Sequence, residues 1–497
     1  MARESQAAVE PLPRSLKILL FVVVLGTILV QLDATMLGVA LNSLREYFDA
    51  DIPTVQWVTT GYLLSLTIVI PVVGWATDRF GAKAMWMTAL SIFGAASLAC
   101  AFAWNIEALI TFRMIQGLGG GMLLPLAQAI LAQAAGPNRL GRVMGAIGIP
   151  SVLGVVLGPV LGGTLVTKLD WHWVFYINIP IAVAALVASW LLMARDQPNP
   201  ERGAVKLDVV GLLLLSPGLA AAIYGLTMVS KHGGFDDATV LSWLAAGLAL
   251  IAGFVVWSLR PANSAPLIDL RLLSRKSFAG GALVLFFLGT VMYGVSLVAP
   301  LYFQQARGWT ALHAGLLNLP LGLGTAIALI AAGRLTDKMG PRVVALAGAA
   351  LGVLGVLVFT QVTDVTLQVW LMVGGFVASL GLASLNVSGM SAGFRDLDPA
   401  ALPRASSTMR IFQQFGGSFG AAILATVLQN AMTGAADGGA LTPADLAGAY
   451  GTTFWWAAGF MALTALPALL LPNSPAPLSD EEMALAAAGA TSDEAGR

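Results

Sequence analysis

The sequence has very few charged residues. Asp, Glu, Lys and Arg make up 10% of its 497 residues, against about 25% in an average soluble domain. A soluble chain of this length would form roughly three domains, and 26 acidic and 26 basic residues could not cover three globular surfaces. Apolar residues reach 57% and the mean hydropathy is +0.82. The composition excludes an ordinary soluble protein and predicts a membrane protein.

Cysteine and an excess of either charge are also missing. Cys100 is the single cysteine and lies in an apolar stretch. This excludes a disulfide framework or a thiolate metal cluster within this chain and predicts a small core side chain. Because acidic and basic residues balance, no basic field indicates a nucleic-acid partner. The sequence has no metal-ligand spacing such as H-E-x-x-H and no phosphate-binding G-x-x-x-x-G-K-[ST] loop. We therefore expect no metal, no bound cofactor and no ATP site.

Two strings, at 389–393 and 416–420, match the hydrolase pattern G-x-S-x-G. That pattern needs a strand that turns into a helix, whereas both strings lie in apolar helical runs. We therefore expect that the protein is not an enzyme.

Long apolar runs are abundant. A helix that crosses a bilayer needs about 20 mostly apolar residues. Fourteen runs qualify, with uncertain ends, near 16–41, 55–76, 84–104, 107–133, 142–167, 174–194, 208–230, 238–259, 278–302, 313–333, 343–360, 367–393, 405–430 and 450–472. The sequence predicts an all-α polytopic membrane protein.

The basic residues fall mainly on one side of these runs. If the N-terminus is cytoplasmic, 20 of the 26 Lys and Arg residues lie in cytoplasmic segments and four lie in outer loops. The remaining two, Arg113 and Arg410, lie within spans. Cytoplasmic loops of membrane proteins are enriched in Lys and Arg, so both termini are predicted to be cytoplasmic.

One motif occurs twice. The pattern G-x-x-x-D-[RK]-x-G ends the second run at 74–81 and the tenth run at 333–340. Its glycines allow close helix approach and a tight turn, and its Asp and basic residue can bridge helix ends in one conformation and release them in another. The gating residues predicted here are Gly74, Asp78, Arg79, Gly81, Asp337 and Lys338.

The repeat predicts two parallel six-helix bundles with a pair of helices inserted between them. The domains are a cytoplasmic tail at 1–15, the N-terminal bundle at 16–194, a linker with two inserted transmembrane helices at 195–277, the C-terminal bundle at 278–472, and an acidic cytoplasmic tail at 473–497. The architecture is 6 + 2 + 6.

Four further strings accompany the repeat. They are L-D-A-T-M-L-G-V-A-L at 32–41, R-M-I-Q-G-L-G at 113–119, the glycine run Gly154, Gly158, Pro159, Gly162 and Gly163, and W-H-W-V-F-Y-I-N-I-P at 171–180. With the repeat, they resemble motifs of the major facilitator superfamily and of its fourteen-span drug:proton antiporter branch, the EmrB/QacA-type exporters. The resemblance covers about 16–472, and the sequence departs from the branch pattern at Gly38, Asn42 and His172.

Charges within a bilayer span are costly and indicate function. Asp33 and Arg113 lie at equal depth, roughly 10 to 12 Å below the outer surface, which permits pairing. In the functional interpretation, burial and Arg113 tune Asp33 to load and release a proton, with the proton as coupling ion. The alternative is a permanent ion pair that locks two helices.

The predicted substrate cavity is less specific. Its members are Met36, Trp57, Tyr62, Gln116, Tyr293, Arg410, Gln413 and Gln414, with Phe303 as a further aromatic candidate. Aromatic and Met side chains suit apolar or planar cationic ligands. The alternatives are lipid-facing or core positions for the apolar members and, for Arg410, a side chain that snorkels to the inner interface.

The glycine run of the fifth span lets a neighbouring helix approach, and Pro159 removes a backbone donor and bends the helix. The resemblance implies a gating hinge there, and the alternative is packing without gating.

The resemblance implies a proton-coupled antiporter that exports small hydrophobic or cationic compounds by alternating access, as in multidrug efflux and antibiotic resistance. The alternatives are a dedicated exporter of one metabolite or antibiotic, an importer by symport, and a membrane sensor that does not transport. We expect a monomer in a bacterial inner membrane, with a small-molecule substrate and the lipid bilayer as its partners.

Overall fold

The computed structural model describes residues 13–50, 52–136, 139–196, 206–232, 237–260, 263, 266–308, 318–363, 366–435 and 442–473. Within these ranges the chain is helical and has no strand, as predicted. Eleven of the described helices are long and apolar enough to cross a membrane. The count of fourteen spans and the 6 + 2 + 6 division stay predictions.

The helices follow the apolar runs. They are α1 Arg14–Tyr47, α2 Ile52–Phe80, α3 Ala82–Ala101, α4 Ile106–Ala135, α5 Leu140–Ile147, α6 Ile149–Lys168, α7 Trp173–Tyr176, α8 Asn178–Leu192, α9 Val209–His232, α10 Ala238–Ser258, α11 Lys276–Leu301, α12 Asn318–Met339, α13 Pro341–Thr360, α14 Gln368–Arg395, α15 Leu402–Ala435, α16 Pro443–Leu463 and α17 Ala465–Ala468. The predicted termini at 1–12 and 474–497 lie outside the described residues.

Two predicted spans differ from the structure in detail. The fifth is split at Gly148 into α5 and α6, because Pro150 lacks a backbone donor and is suited to the first turn of a new helix. The run predicted at 450–472 begins earlier, at Pro443. Thr442 and Asp445 form a capping box there, with each side chain bonded to the other residue's backbone N–H. Hydropathy finds the apolar length of a helix and misses its polar start.

The bundle has two ends, which we name by their turns. The Gly81 end holds the turns at Gly81 and Gly340, both with positive φ, and the starts of α5 and α15. The Asp49 end holds the loop between α1 and α2. At the Gly81 end, α2 and α4 pack on α15, and α5 packs on α12 and α14. This end therefore joins the two predicted bundles.

The two helices predicted as an insertion, α9 and α10, lie against this junction. α9 packs along α10 and also contacts both α2 and α15. Ser216 of α9 donates a hydrogen bond to the carbonyl of Ile68 in α2, at 2.8 Å. On the other side, Leu226 and Val229 of α9 pack with Ala422 of α15. The pair therefore covers the seam between the two bundles on the α2 and α15 side.

Candidate functional site

Asp33 and Arg113 meet in the middle of the first bundle. α1 and α4 pack together, and an Arg113 guanidinium nitrogen lies 2.5 Å from an Asp33 carboxylate oxygen. Both residues have no solvent-exposed surface. The pairing that equal depth permitted is therefore present.

The Asp33 carboxylate has two further donors. The amide nitrogen of Gln116, one turn after Arg113 on α4, lies 3.0 Å from the second carboxylate oxygen. The amide nitrogen of Asn178, at the start of α8, lies 2.8 Å from that same oxygen. Donors from two helices besides α1 thus converge on one carboxylate. Since hydrogen bonds that involve a charged group are stronger than neutral ones, these donors hold the Asp33 side chain in place.

A second set of contacts holds these donors. Gln116 also donates to the hydroxyl of Ser97 in α3, at 2.6 Å, and its oxygen accepts from Arg113, at 2.6 Å. The Arg113 guanidinium lies 4.2 Å from the centre of the Tyr62 ring, within the range of a cation–π interaction. The network therefore spans α1, α2, α3, α4 and α8 and is closed to solvent in this conformation.

The energetics of such a pair depend on both members. Removing one partner of a buried ion pair leaves an uncompensated charge and costs about 3 to 5 kcal/mol. The intact pair is neutral as a unit. A helix movement that separates Asp33 from Arg113 would therefore leave each charge without its partner.

The glycine run of α6 packs on the same stretch of α1. Side chains added at Gly154 and Gly158 would overlap Gln31 and Thr35, which precede and follow Asp33. Thr35 also donates to the Gly154 carbonyl at 2.9 Å.

The run continues at Gly162, which faces the backbone of Met36, and Gly163 follows it within α6. Pro159 lies within α6, and its side chain is outside the described part. α1 thus directs Asp33 toward α4 and packs against the glycines of α6 on another face.

The two motif copies make reciprocal contacts across the Gly81 end. In the first copy, Asp78 accepts a hydrogen bond at 2.9 Å from Nε of Arg404, at the start of α15, and Nη2 of Arg404 lies 2.9 Å from the same carboxylate oxygen. In the second, Asp337 accepts from the backbone N–H of Gly141 at 2.7 Å and from the Arg142 side chain at 3.1 Å, at the start of α5. Each copy therefore bonds to the opposite bundle, which closes this end.

The other motif residues differ in their surroundings. A Cβ at Gly74 would lie 2.7 Å from the Arg404 side chain, so only glycine permits this approach. Gly81 has a φ of +97°, and a side chain there would overlap Asp196. Arg79 is half-buried beside Asp78, whereas Lys338 is exposed.

The predicted cavity residues do not form one group. Arg410 borders a small cavity of about 20 Å³ between the bundles. It donates to Gln413 at 2.8 Å, while Gln414 is buried on the same helix. Gln116 and Tyr62 belong to the network around Asp33 and Arg113.

The remaining candidates lie elsewhere. Trp57 is 39% exposed and stacks on Tyr224 of α9. Met36 is buried among the residues of α1 and α6. Tyr293 packs on Gly417, and Phe303 lies in the core near Tyr302.

Sequence reasoning assigned no role to three residues of these sites. Asn178 stood inside a quoted string, and its polarity at the start of an apolar run was the signal that could have singled it out. Ser97 and Gly141 gave no such signal. Gly141 lies so close to Gly333 that a Cβ on Gly333 would be 2.7 Å from the Gly141 carbonyl oxygen.

Comparisons with known proteins agree with this architecture. The family model described as Major Facilitator Superfamily matches residues 23–421 and 322–488. A Mycobacterium tuberculosis protein named multidrug resistance protein B homolog is 36% identical over 92% of this chain and 90% of its own length. Lincomycin resistance protein LmrB of Listeria innocua is 28% identical over 79% of this chain and 82% of its own.

Two solved structures share the fold. The human organic anion transporter MFSD10 is 17% identical, with a TM-score of 0.64 over 92% of this chain and all of its own. The proton:xylose symporter XylE is 14% identical, with a TM-score of 0.62 over 91% of this chain and 94% of its own.

Proposed function

Because the chain belongs to the major facilitator superfamily, we propose that it exports small drug-like molecules across the membrane in exchange for protons. Alternating access of the two bundles is the proposed mechanism. The relatives that carry resistance names support drug transport as the general activity. The proposed substrates are small hydrophobic or cationic compounds that enter from the cytoplasm.

The observation that carries the proton coupling is the buried network around Asp33. Its carboxylate is held by Arg113, Gln116 and Asn178 and has no contact with solvent. These donors lie on α4 and α8, so a rearrangement of α1 would separate the carboxylate from them and free it to accept a proton. Substrate that binds only the deprotonated form would then be exported as a proton enters.

The same network fits the proposed gate. In this conformation, the motif contacts of Asp78 and Asp337 close the Gly81 end. The glycine run of α6 lets α1 slide or tilt beside it without side-chain overlap. The enrichment of Lys and Arg in the predicted cytoplasmic segments places the Gly81 end in the cytoplasm. We therefore infer that this conformation is closed toward the cytoplasm. We also propose that the protein acts as a monomer in a bacterial inner membrane.

The test uses inverted vesicles that hold a pH gradient. Lipophilic cations, neutral drugs and aromatic acids are added in turn, and discharge of the gradient is recorded. We expect discharge by several compounds with the wild type and none with Asp33→Asn. Asp49→Asn is the matched control, because Asp49 is exposed and Asn tolerates its positive φ of 46°.

The outcomes separate the alternatives. Discharge that persists in Asp33→Asn, with the variant shown to be folded, would remove the coupling role of Asp33. If none of the compounds discharges the gradient with the folded wild type, a dedicated exporter of one metabolite is favoured. Ligand binding without any flux would favour a sensor.

A further inference from the structure

Arg410 is a third charge within the described spans. Unlike Arg113, it has no carboxylate within ion-pair distance among the described residues, and its hydrogen bond there is to the Gln413 amide oxygen, at 2.8 Å. A guanidinium has five N–H donors and cannot lose its charge in a protein. Most of its donors are therefore available to a ligand.

The guanidinium lies at the boundary of the two bundles. The cavity that it borders is lined by Thr27, Val30, Gln31, Leu66, Gly120, Gly121, Leu124, Ile147 and Arg410. Arg410 comes from α15 of the second bundle, whereas the other eight come from α1, α2, α4 and α5 of the first. With a volume of about 20 Å³, the cavity holds about one water molecule. It therefore has to widen for a larger ligand as the bundles move apart.

A second donor lies beside the same cavity. The Tyr62 side chain is 1% exposed, and its hydroxyl has no hydrogen-bond partner among the described residues. A Cβ at Gly120, which lines the cavity, would lie 2.8 Å from that hydroxyl oxygen. Burying a hydroxyl without a partner costs free energy. A ligand acceptor atom would remove this cost.

The balance of charge favours an anion. Asp33 and Arg113 neutralise each other, so Arg410 brings to this cavity a positive charge that no carboxylate among the described residues pairs with. In a medium of low dielectric constant, this charge repels a cation and attracts an anion. The walls are otherwise apolar or small, apart from Thr27 and Gln31.

We propose that the central cavity recognises small aromatic or apolar carboxylates, with Arg410 as the charge-recognising residue and the Tyr62 hydroxyl as a second donor. This inference rests on the proposed function in taking the cavity as the substrate site. It replaces the expectation of cationic substrates with a preference for organic anions over organic cations.

The test compares three probes of one shape and different charge, which are 2-naphthoate, 2-naphthamide and 2-naphthylmethylammonium. Binding to the full-length protein in detergent is measured by calorimetry. We expect naphthoate to bind at least about tenfold more tightly than the ammonium probe, as one hydrogen bond to a charged group provides. The neutral amide should lie between them.

The variants separate charge from packing. Arg410→Lys should keep the order of affinities, and Arg410→Gln should abolish the preference for naphthoate. Tyr62→Phe keeps the ring beneath Arg113 and removes only the hydroxyl, so it should weaken naphthoate severalfold and leave the ammonium probe unchanged. Arg14→Gln, an exposed arginine at the start of α1, is the matched control.

Three results would overturn the proposal: equal or tighter binding of the ammonium probe, an unchanged order in a folded Arg410→Gln protein, or no binding of naphthoate. If Arg410→Gln does not fold, the Tyr62→Phe variant provides the test. An unchanged affinity of that variant for naphthoate would show that the Tyr62 hydroxyl is not a donor to the ligand and would reject the proposed site. Flux is scored separately. If the protein binds naphthoate preferentially but transports nothing, this inference stands and the proposed export is rejected. If the protein exports cations alone, the proposed export stands and this inference is rejected.

Discussion

The two motif aspartates should contribute unequally to closure of the Gly81 end. Arg142 and Arg404 occupy matching positions in L-G-R at 140–142 and L-P-R at 402–404. Asp337 accepts from the Gly141 and Arg142 backbone N–H groups as well as from the Arg142 side chain. Pro403 has no N–H to offer, and in the described part of the chain the donor to Asp78 is the Arg404 side chain.

The difference can be converted to a population. Hydrogen bonds to charged groups contribute about 1.5 to 3 kcal/mol when buried, and exposed ion pairs only about 0.2 to 1 kcal/mol. The Asp337 and Asp78 side chains are 12% and 21% exposed, so about 1 kcal/mol for each bond is a fair value. Asp337→Ala should then disfavour the closed end by about 1 to 2 kcal/mol more than Asp78→Ala. That corresponds to roughly a 5- to 30-fold larger shift toward the open form.

Spin-label distances can measure this shift. Labels are attached to cysteines introduced at Ala84 and Val343, which are exposed on opposite bundles near the Gly81 end, in a Cys100→Ala background. We expect a longer-distance population in both variants and a larger one in Asp337→Ala. A larger population in Asp78→Ala, or none in either, would refute the reasoning from proline and backbone donors. Lys338→Ala, which removes an exposed neighbour, is the control.

Three further outcomes can be checked. Gly158→Ala should lower the free energy of unfolding by about 1 to 3 kcal/mol, because the added methyl group overpacks against α1, and it should lower the melting temperature. Gly38→Ala should be neutral, because a Cβ at Gly38 would meet open space. Equal melting temperatures of the two variants would contradict this. Cys100, which is fully buried, should resist N-ethylmaleimide until denaturant is added, and rapid alkylation of the native protein would show that its surroundings open. Ser216→Ala should lose about 1 kcal/mol of stability through its bond to α2, and an unchanged melting curve would argue against a stabilising contact there.

Much of the fold followed from local patterns. Apolar runs of membrane length specify helices because backbone groups in lipid must be satisfied within each segment. The depth of Asp33 and Arg113 followed from the helical rise alone, and that depth permitted the pairing which the structure contains. The starts of α6 and α16 were missed, because the split at Gly148 and the capping box at Thr442 depend on backbone hydrogen bonds rather than on hydropathy.

The candidate site was predicted only in part. Gln116 was assigned to the cavity, yet it bonds to Asp33 and Ser97 within the ion-pair network. A helical residue's depth can be read from the chain, but its facing direction depends on how the whole helix is rotated against its neighbours. Sequence reasoning therefore placed Gln116 on the same span as Arg113 without identifying its partners.

The sequence by itself determined the membrane class, the order of helices, the internal repeat and the residues that carry charge within the spans, because each of these is a property of single segments. Tertiary structure alone decided that Asn178 completes the shell of Asp33, that each motif copy bonds to the opposite bundle, and that Arg410 borders a cavity. These are contacts between segments far apart in the chain. Side-chain packing selects them from many arrangements that satisfy the same hydropathy pattern.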